Sequence, residues 1–134
     1  MEVRKNEELV NHYMTLGKDE KALKEVDNLL SKNPKKPYYL YLRAKCLNNL
    51  RIFDEALDEI KNAFEEGYSP EFCYELMGGI YFGMYDYEEA KKCFEEVFRL
   101  NPNNAETLAA PLKQRESQKI VIALLLRMWE DSIK

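Results

Sequence analysis

An all-α solenoid of stacked helix pairs is the fold class this sequence predicts, on three observations. The first is a repeat: Ala22, Ala56 and Ala90 lie 34 residues apart, and the same spacing relates Val10, Ala44 and Gly78, then Tyr13, Leu47 and Tyr81, then Leu16, Leu50 and Met84. Val26, Ile60 and Phe94 follow, and after them Leu30, Phe64 and Phe98. A small or compact residue returns where two helices must approach, and a large apolar one where a helix must fill a gap, as in helix pairs stacked side by side. The second is punctuation. Pro34, Pro70 and Pro102 lack an amide donor and cannot continue an interior helix, while Gly17 and Gly67 can take the left-handed conformation that ends one. The third is size and balance: 134 residues suffice for one domain with a sizeable core, and 33% are charged, of both signs.

The elements follow in order. A first helix is expected over 3–16, stopped at Gly17-Lys18; a second over 19–31 carries Ala22 and Val26 and ends in the turn 33–37 around Pro34. The third, 38–50, holds Ala44 and Leu47 and breaks at Arg51-Ile52; the fourth, 53–66, holds Ala56 and Ile60 and ends at Gly67. The fifth, 70–84, starts at Pro70, contains Gly78 and Tyr81 and turns at Tyr85-Asp86. The sixth, 87–100, presents Ala90 and Phe94 and closes in the turn 101–104. Such short connections make consecutive helices antiparallel neighbours. A further helix is expected from Ala105, capped by Asn104 and kinked or restarted at Pro111.

In the third copy stand Gly78, Tyr81, Asp86-Tyr87-Glu88-Glu89-Ala90, Phe94 and Pro102; the first keeps Leu9, Tyr13, Gly17, Ala22 and Pro34, and the second Ala44, Ala56 and Ala63. On these residues the chain resembles the tetratricopeptide repeat family, over about 3–104. The second copy departs from the family pattern with Arg51 in place of Gly and a closing proline displaced to Pro70. The resemblance implies a right-handed superhelix of three antiparallel pairs, about 3–36, 37–70 and 71–104, followed by a long C-terminal capping helix in 105–134. It implies a scaffold and no particular chemistry.

In that family the first helix of each pair lines a concave groove. The resemblance therefore assigns to a partner-binding groove Arg4, Glu7, Asn11 and Met14 from the first pair, Tyr38, Tyr41, Lys45, Asn48 and Asn49 from the second, and Phe72, Glu75, Gly79, Phe82 and Gly83 from the third. Aromatic rings supply rigid contact area and amides pair with a ligand backbone, so this surface reads as a peptide-binding or helix-binding groove. It reads equally as a face covered by the protein itself. Gly79 and Gly83 share one face of their helix, and each costs roughly 1 kcal/mol of helix stability relative to alanine. Either a partner backbone uses that space beside Phe82, or Phe82, Tyr41 or a C-terminal side chain needs the room. A carboxylate clamp, which some family members use to grip an acidic chaperone tail, is not expected. Its positions hold Glu7, Asn11, Leu42, Phe72 and Leu76, and only Asn11 fits.

After the repeats comes Ile120-Val121-Ile122-Ala123-Leu124-Leu125-Leu126, then Met128 and Trp129. Wound as a helix, Ile122, Leu126, Trp129 and Ile133 form one stripe, and Val121, Leu125 and Met128 a second, whereas a capping helix needs only one. The run is too short and too broken by Arg127 to span a membrane. Self-association is expected through Val121, Ile122, Leu125, Leu126, Met128 and Trp129, as a homodimer or with an exchanged helix. Each buried side chain would contribute about 1.5–3 kcal/mol before association entropy is subtracted.

Chemistry is scarce. His12 is the only histidine and has no paired nucleophile or second ligand; the glycines near Gly78 are followed by neither Lys-Ser nor Lys-Thr; and carboxylate pairs such as Asp54-Glu55 and Glu88-Glu89 sit beside lysines as solvated faces. Cys46, Cys73 and Cys93 are odd in number and widely spaced, as small apolar packers in a reducing compartment would be. The net charge of -4 shows no basic excess for nucleic acid, and the N-terminal residues have no apolar core of a signal peptide. The expected protein is a cytoplasmic, non-catalytic interaction module with no cofactor and no metal. The alternative is a self-assembling structural subunit whose groove is filled by its own or a neighbour's C-terminal helix.

Overall fold

The computed structural model describes residues 2–101 and Arg127, with side chains from residue 5. Six helices follow one another there: α1 Glu2–Thr15, α2 Asp19–Lys32, α3 Pro37–Asn49, α4 Phe53–Glu65, α5 Pro70–Gly83 and α6 Tyr87–Leu100. The expected C-terminal helix, its Asn104 cap and its Pro111 kink lie outside the described residues, as do Val121, Ile122, Leu125, Leu126, Met128 and Trp129. Two compact units divide the chain, Met1–Cys73 and Tyr74–Lys134.

In the first unit α1 packs on α2, α2 on α3 and α3 on α4. The repeating small residues lie where helices meet: Val10, Ala22, Ala44 and Ala56 are fully buried. Val10, Ala22, Val26, Leu29, Tyr39, Leu42 and Cys46 form one core cluster, with Tyr13, Met14, Leu23, Leu30 and Tyr38 packed against it. Burial of side chains the size of Val26 or Leu29 contributes about 1.5–3 kcal/mol each. In the second unit Ala90 and Phe94 are the buried centre for Tyr81, Phe82 and Phe98. A Cβ built at Gly78 would lie 2.7 Å from Cζ of Phe94, so only glycine lets the ring sit against that backbone.

One cap geometry recurs with the repeat. At the end of α1 the Gly17 amide donates to Met14 and the Lys18 amide to Tyr13; Arg51 and Ile52 do the same to Asn48 and Leu47, and Tyr85 and Asp86 to Phe82 and Tyr81. These paired bonds are the Schellman motif, whose pivot residue is left-handed. The pivots have φ 74 at Gly17, 64 at Arg51 and 63 at Tyr85. Gly67 closes α4 in the same way with φ 96. The carbonyls of Lys18, Ile52 and Asp86 then accept from the amides of Ala22, Ala56 and Ala90, starting α2, α4 and α6. Asp86 also caps α6 through its carboxylate, which accepts from the Glu89 amide at 3.4 Å.

Two repeat positions differ from the expected gap-filling role. Leu16 is 53% exposed and Phe64 38%. Leu16 directly follows the last residue of α1, in the turn that the Gly17 pivot closes.

Candidate binding site

The first unit gathers four aromatic rings from three pieces of chain. Tyr38 and Tyr41 lie one turn apart on α3, Phe72 sits in the first turn of α5, and Tyr68 lies in the connection before it. Tyr68 is the hub. Its ring stacks on Tyr41 with centroids 4.6 Å apart and on Tyr38 at 6.2 Å, and it lies tilted to Phe72 at 6.3 Å. Tyr41 and Phe72 are also tilted, at 6.4 Å. Such pairs are worth about 0.5–1.5 kcal/mol each beyond area burial, so the cluster is a fixed surface. Phe72 nevertheless remains 48% exposed. Burial raises the Tyr68 pKa, with the neighbouring Tyr38 adding to the effect, so the hydroxyl stays protonated and able to donate.

Further along α3, Lys45 is exposed one turn beyond Tyr41, and Asn48 is half-buried. Asn11 is exposed on α1, and Met14 is half-buried against the core cluster. Asn49, read from sequence as a groove residue, instead donates to Asp19 of α2 at 3.0 Å. Glu7 is also engaged within the fold. It accepts from the buried Tyr39 hydroxyl at 2.5 Å and lies 3.8 Å from Lys36, whose ammonium stands 4.6 Å over the Tyr39 ring. Burial first, then the Glu7 hydrogen bond, pushes the Tyr39 pKa up to about 12. Leu42 is buried, so its position offers no polar group to a ligand.

The second unit holds the remaining candidates. Phe82 packs on the Ala90–Phe94 centre and lies 5.4 Å from Tyr87, which meets Tyr85 edge-on at 6.5 Å. Glu75 is half-buried. Among the described residues, a Cβ built at Gly79 meets no atom within 4 Å beyond its chain neighbours and its own stretch of helical backbone. Thus Tyr38, Tyr41 and Phe72 come together, and Tyr68, which completes their surface, is the residue that sequence reasoning missed. The signal was available: Tyr68 stands 34 residues from both Pro34 and Pro102, an aromatic ring in the closing-proline position.

A family model described as Psidin, N-terminal TPR repeats region, matches residues 9–128. The chain belongs to that family. It is 28% identical over 88 residues to the N-terminal acetyltransferase A complex auxiliary subunit NAA15 of Arabidopsis thaliana, which covers 66% of this chain and 10% of that protein. The chain thus spans a small part of that relative's length. Among solved structures, the first TPR domain of the human RPAP3 protein superposes with a TM-score of 0.71 at 26% identity, over 97% of this chain and 96% of the other. The first TPR of Spaghetti (RPAP3), bound to the HSP90 peptide SRMEEVD, gives 0.69 at 28% identity, over 89% and 93%. The fold is accordingly the all-α tetratricopeptide solenoid that the 34-residue repeat predicts. Among the described residues no helix is long and apolar enough to cross a membrane, and no group of three or more His, Cys, Asp or Glu could hold a metal ion.

Proposed function

We propose that this TPR chain is a non-catalytic, cytoplasmic interaction module that holds a peptide or helix of a partner protein. The observation that carries this is the half-exposed aromatic surface of Tyr38, Tyr41, Tyr68 and Phe72. Asn11, Met14, Lys45 and Asn48 extend it along α1 and α3, and in the second unit Glu75, Gly79 and Phe82 are proposed as binding residues of their own. The Spaghetti TPR with its bound peptide supports a peptide ligand, and the auxiliary-subunit relative supports a protein partner. The ligand differs from an acidic tail held by its terminal carboxylate. At the positions where a clamp needs cations and amides, this chain has Glu7 bonded to Tyr39, buried Leu42 and the Phe72 ring. A pull-down from the source cell with wild type and a Tyr41→Ala, Phe82→Ala double variant tests the reading. A partner retained by wild type and lost by the variant supports it, and identical capture by both overturns it.

A second proposal concerns the apolar run 120–129, whose several stripes exceed what one capping contact uses. Through Val121, Ile122, Leu125, Leu126, Met128 and Trp129 the chain forms a homodimer. Light scattering at high micromolar concentration should give twice the 15.9 kDa chain mass; a monomer there sinks the idea. In the alternative, where this segment fills the aromatic groove in a self-assembling subunit, removing 111–134 would abolish assembly or solubility. Under the interaction-module reading the same truncation leaves peptide binding intact or improved.

A further inference from the structure

We propose that the turn joining α5 and α6 is a docking site of its own, where Tyr85 and Tyr87 take an arginine side chain from a basic segment of a partner protein and Asp86 and Glu88 pair with its charge. It uses none of Tyr38, Tyr41, Tyr68 and Phe72, so it stands or falls apart from the groove reading. The second repeat supplies the first argument. Arg51 and Tyr85 are equivalent left-handed pivots, with φ 64 and 63. Two residues after them stand Phe53 and Tyr87, which open α4 and α6. In the second repeat the pivot's own guanidinium lies 5.2 Å over the Phe53 ring, and Asp54 and Glu55 follow in the first turn of the helix. The third repeat keeps the ring and the acidic first turn, with Glu88 and Glu89, but its pivot is a tyrosine. Among the described residues no cation stands over Tyr85 or Tyr87. The chain therefore builds one guanidinium receptor in each of these repeats and fills only the earlier one from within.

Exposure is the second argument. Tyr85 is 72% exposed and Tyr87 48%. Their planes stand 81° apart with centroids at 6.5 Å, so neither ring covers the other's face as stacked rings would. Phe82 backs Tyr87 at 5.4 Å, inclined by 59°. Charge is the third. Asp86 caps α6 with one carboxylate oxygen, Glu88 is exposed without an ion pair among the described residues, and Glu89 holds Lys92 at 3.1 Å. After Glu89, both Glu88 and Asp86 help to raise the Lys92 pKa, so their field reaches past the turn. Lys91, one turn beyond Tyr87, is the nearby cation without a carboxylate partner among the described residues. It does not reverse the sign: residues 74–101 hold six carboxylates against three cations, and Arg99 is already matched by Glu96. The negative balance selects a cation. The rings select a guanidinium, which lies flat on an aromatic face and is more weakly hydrated than an ammonium.

NMR titration of the full chain with the peptide Gly-Arg-Arg-Gly, and with its lysine and glutamate counterparts, tests this. The arginine peptide should shift the amides of residues 85–89 saturably. The lysine peptide should bind about threefold more weakly, and the glutamate peptide should leave those amides unmoved. Tyr85→Arg rebuilds the internal contact of the second repeat at a pivot that already accepts Arg51, and should weaken the arginine peptide about tenfold. Tyr87→Leu should do the same, whereas Tyr87→Phe keeps a ring and should retain binding. Glu88→Gln should weaken it about threefold. Tyr85 and Glu88 are exposed, so these variants leave the core intact, which circular dichroism checks. Equal binding of the arginine and lysine peptides, or unchanged affinity in Tyr85→Arg, would reduce the site to its carboxylates and overturn the proposal. Amides 85–89 that fail to respond to the arginine peptide would overturn it as well.

Discussion

Arg51 and Tyr85 occupy left-handed backbone conformations that the first repeat gives to Gly17. For an L residue this costs about 1–2 kcal/mol, of which glycine's larger entropy loss on folding would return about half. The Arg51 guanidinium recovers part by lying 5.2 Å from the Phe53 ring. Replacing Arg51 should therefore have different effects according to the substitute. Arg51→Gly relieves the strain but also loses the ring contact, so the thermal midpoint should stay nearly unchanged, whereas Arg51→Ala keeps the strain, loses the contact and should lower it by about 2–4 °C. A second residue-level expectation concerns buried titratable groups. Burial, with Asp19 adding, pushes the Cys46 thiol up to about 12, and burial alone brings Cys73 to about 11. At pH 8 both should react with a thiol reagent far more slowly in the folded chain than in denaturant. Because these thiols and Tyr39 have raised folded pKa values, their contribution is complete below their unfolded values of about 9 and 10. It is lost as pH rises toward 12. Denaturant midpoints should fall over that window, less steeply in Tyr39→Phe.

Along α5 two adjacent glycines have opposite environments. A methyl group at Gly78 would enter the Phe94 ring, while one at Gly79 would meet nothing among the described residues beyond its chain neighbours and its own stretch of helical backbone. Gly78→Ala should destabilise by about 1–3 kcal/mol through overpacking, and Gly79→Ala should stabilise by about 1 kcal/mol through helix propensity. Urea melts of the two variants check both signs. Peptide titration of the second then tells whether a ligand uses the open space. These glycines also mark how far the sequence could be read. The repeat placed Gly78 at a helix contact and set each helix start and stop within one residue of its observed place, because packing recurs whenever the same pair is copied. It also aligned Tyr38, Tyr41 and Phe72 on first helices. Tyr68 does stand in the 34-residue series at the closing-proline position of its turn, but its role as hub exists only once α3 and α5 are folded beside that turn. Likewise nothing in the letters Arg51 and Tyr85 announces a left-handed pivot. The hydrogen bonds of the copied cap impose it.

A solenoid is held by neighbour contacts, so its protection against opening should follow the number of helices each one touches. In the first unit α3 packs on both α2 and α4, and buries Tyr39, Leu40, Leu42, Ala44, Cys46 and Leu47, whereas α1 packs chiefly on α2. Arg43 adds a polar tie between the same elements. Its Nε donates to Asp27 of α2 at 2.8 Å and its Nη1 to Glu59 of α4 at 2.6 Å. The Glu59 side chain is only 13% exposed, so the guanidinium faces it across a largely water-excluded contact. Hydrogen exchange followed by mass spectrometry should accordingly find the slowest amides of residues 2–73 within α3. Arg43→Ala would leave the Glu59 carboxylate buried without its partner, costing about 1–3 kcal/mol. That loss should appear as faster exchange in α2, α3 and α4 together, with α1 following through α2. If only amides flanking residue 43 accelerated, the four helices would be opening independently, and the nearest-neighbour account of this unit would be wrong.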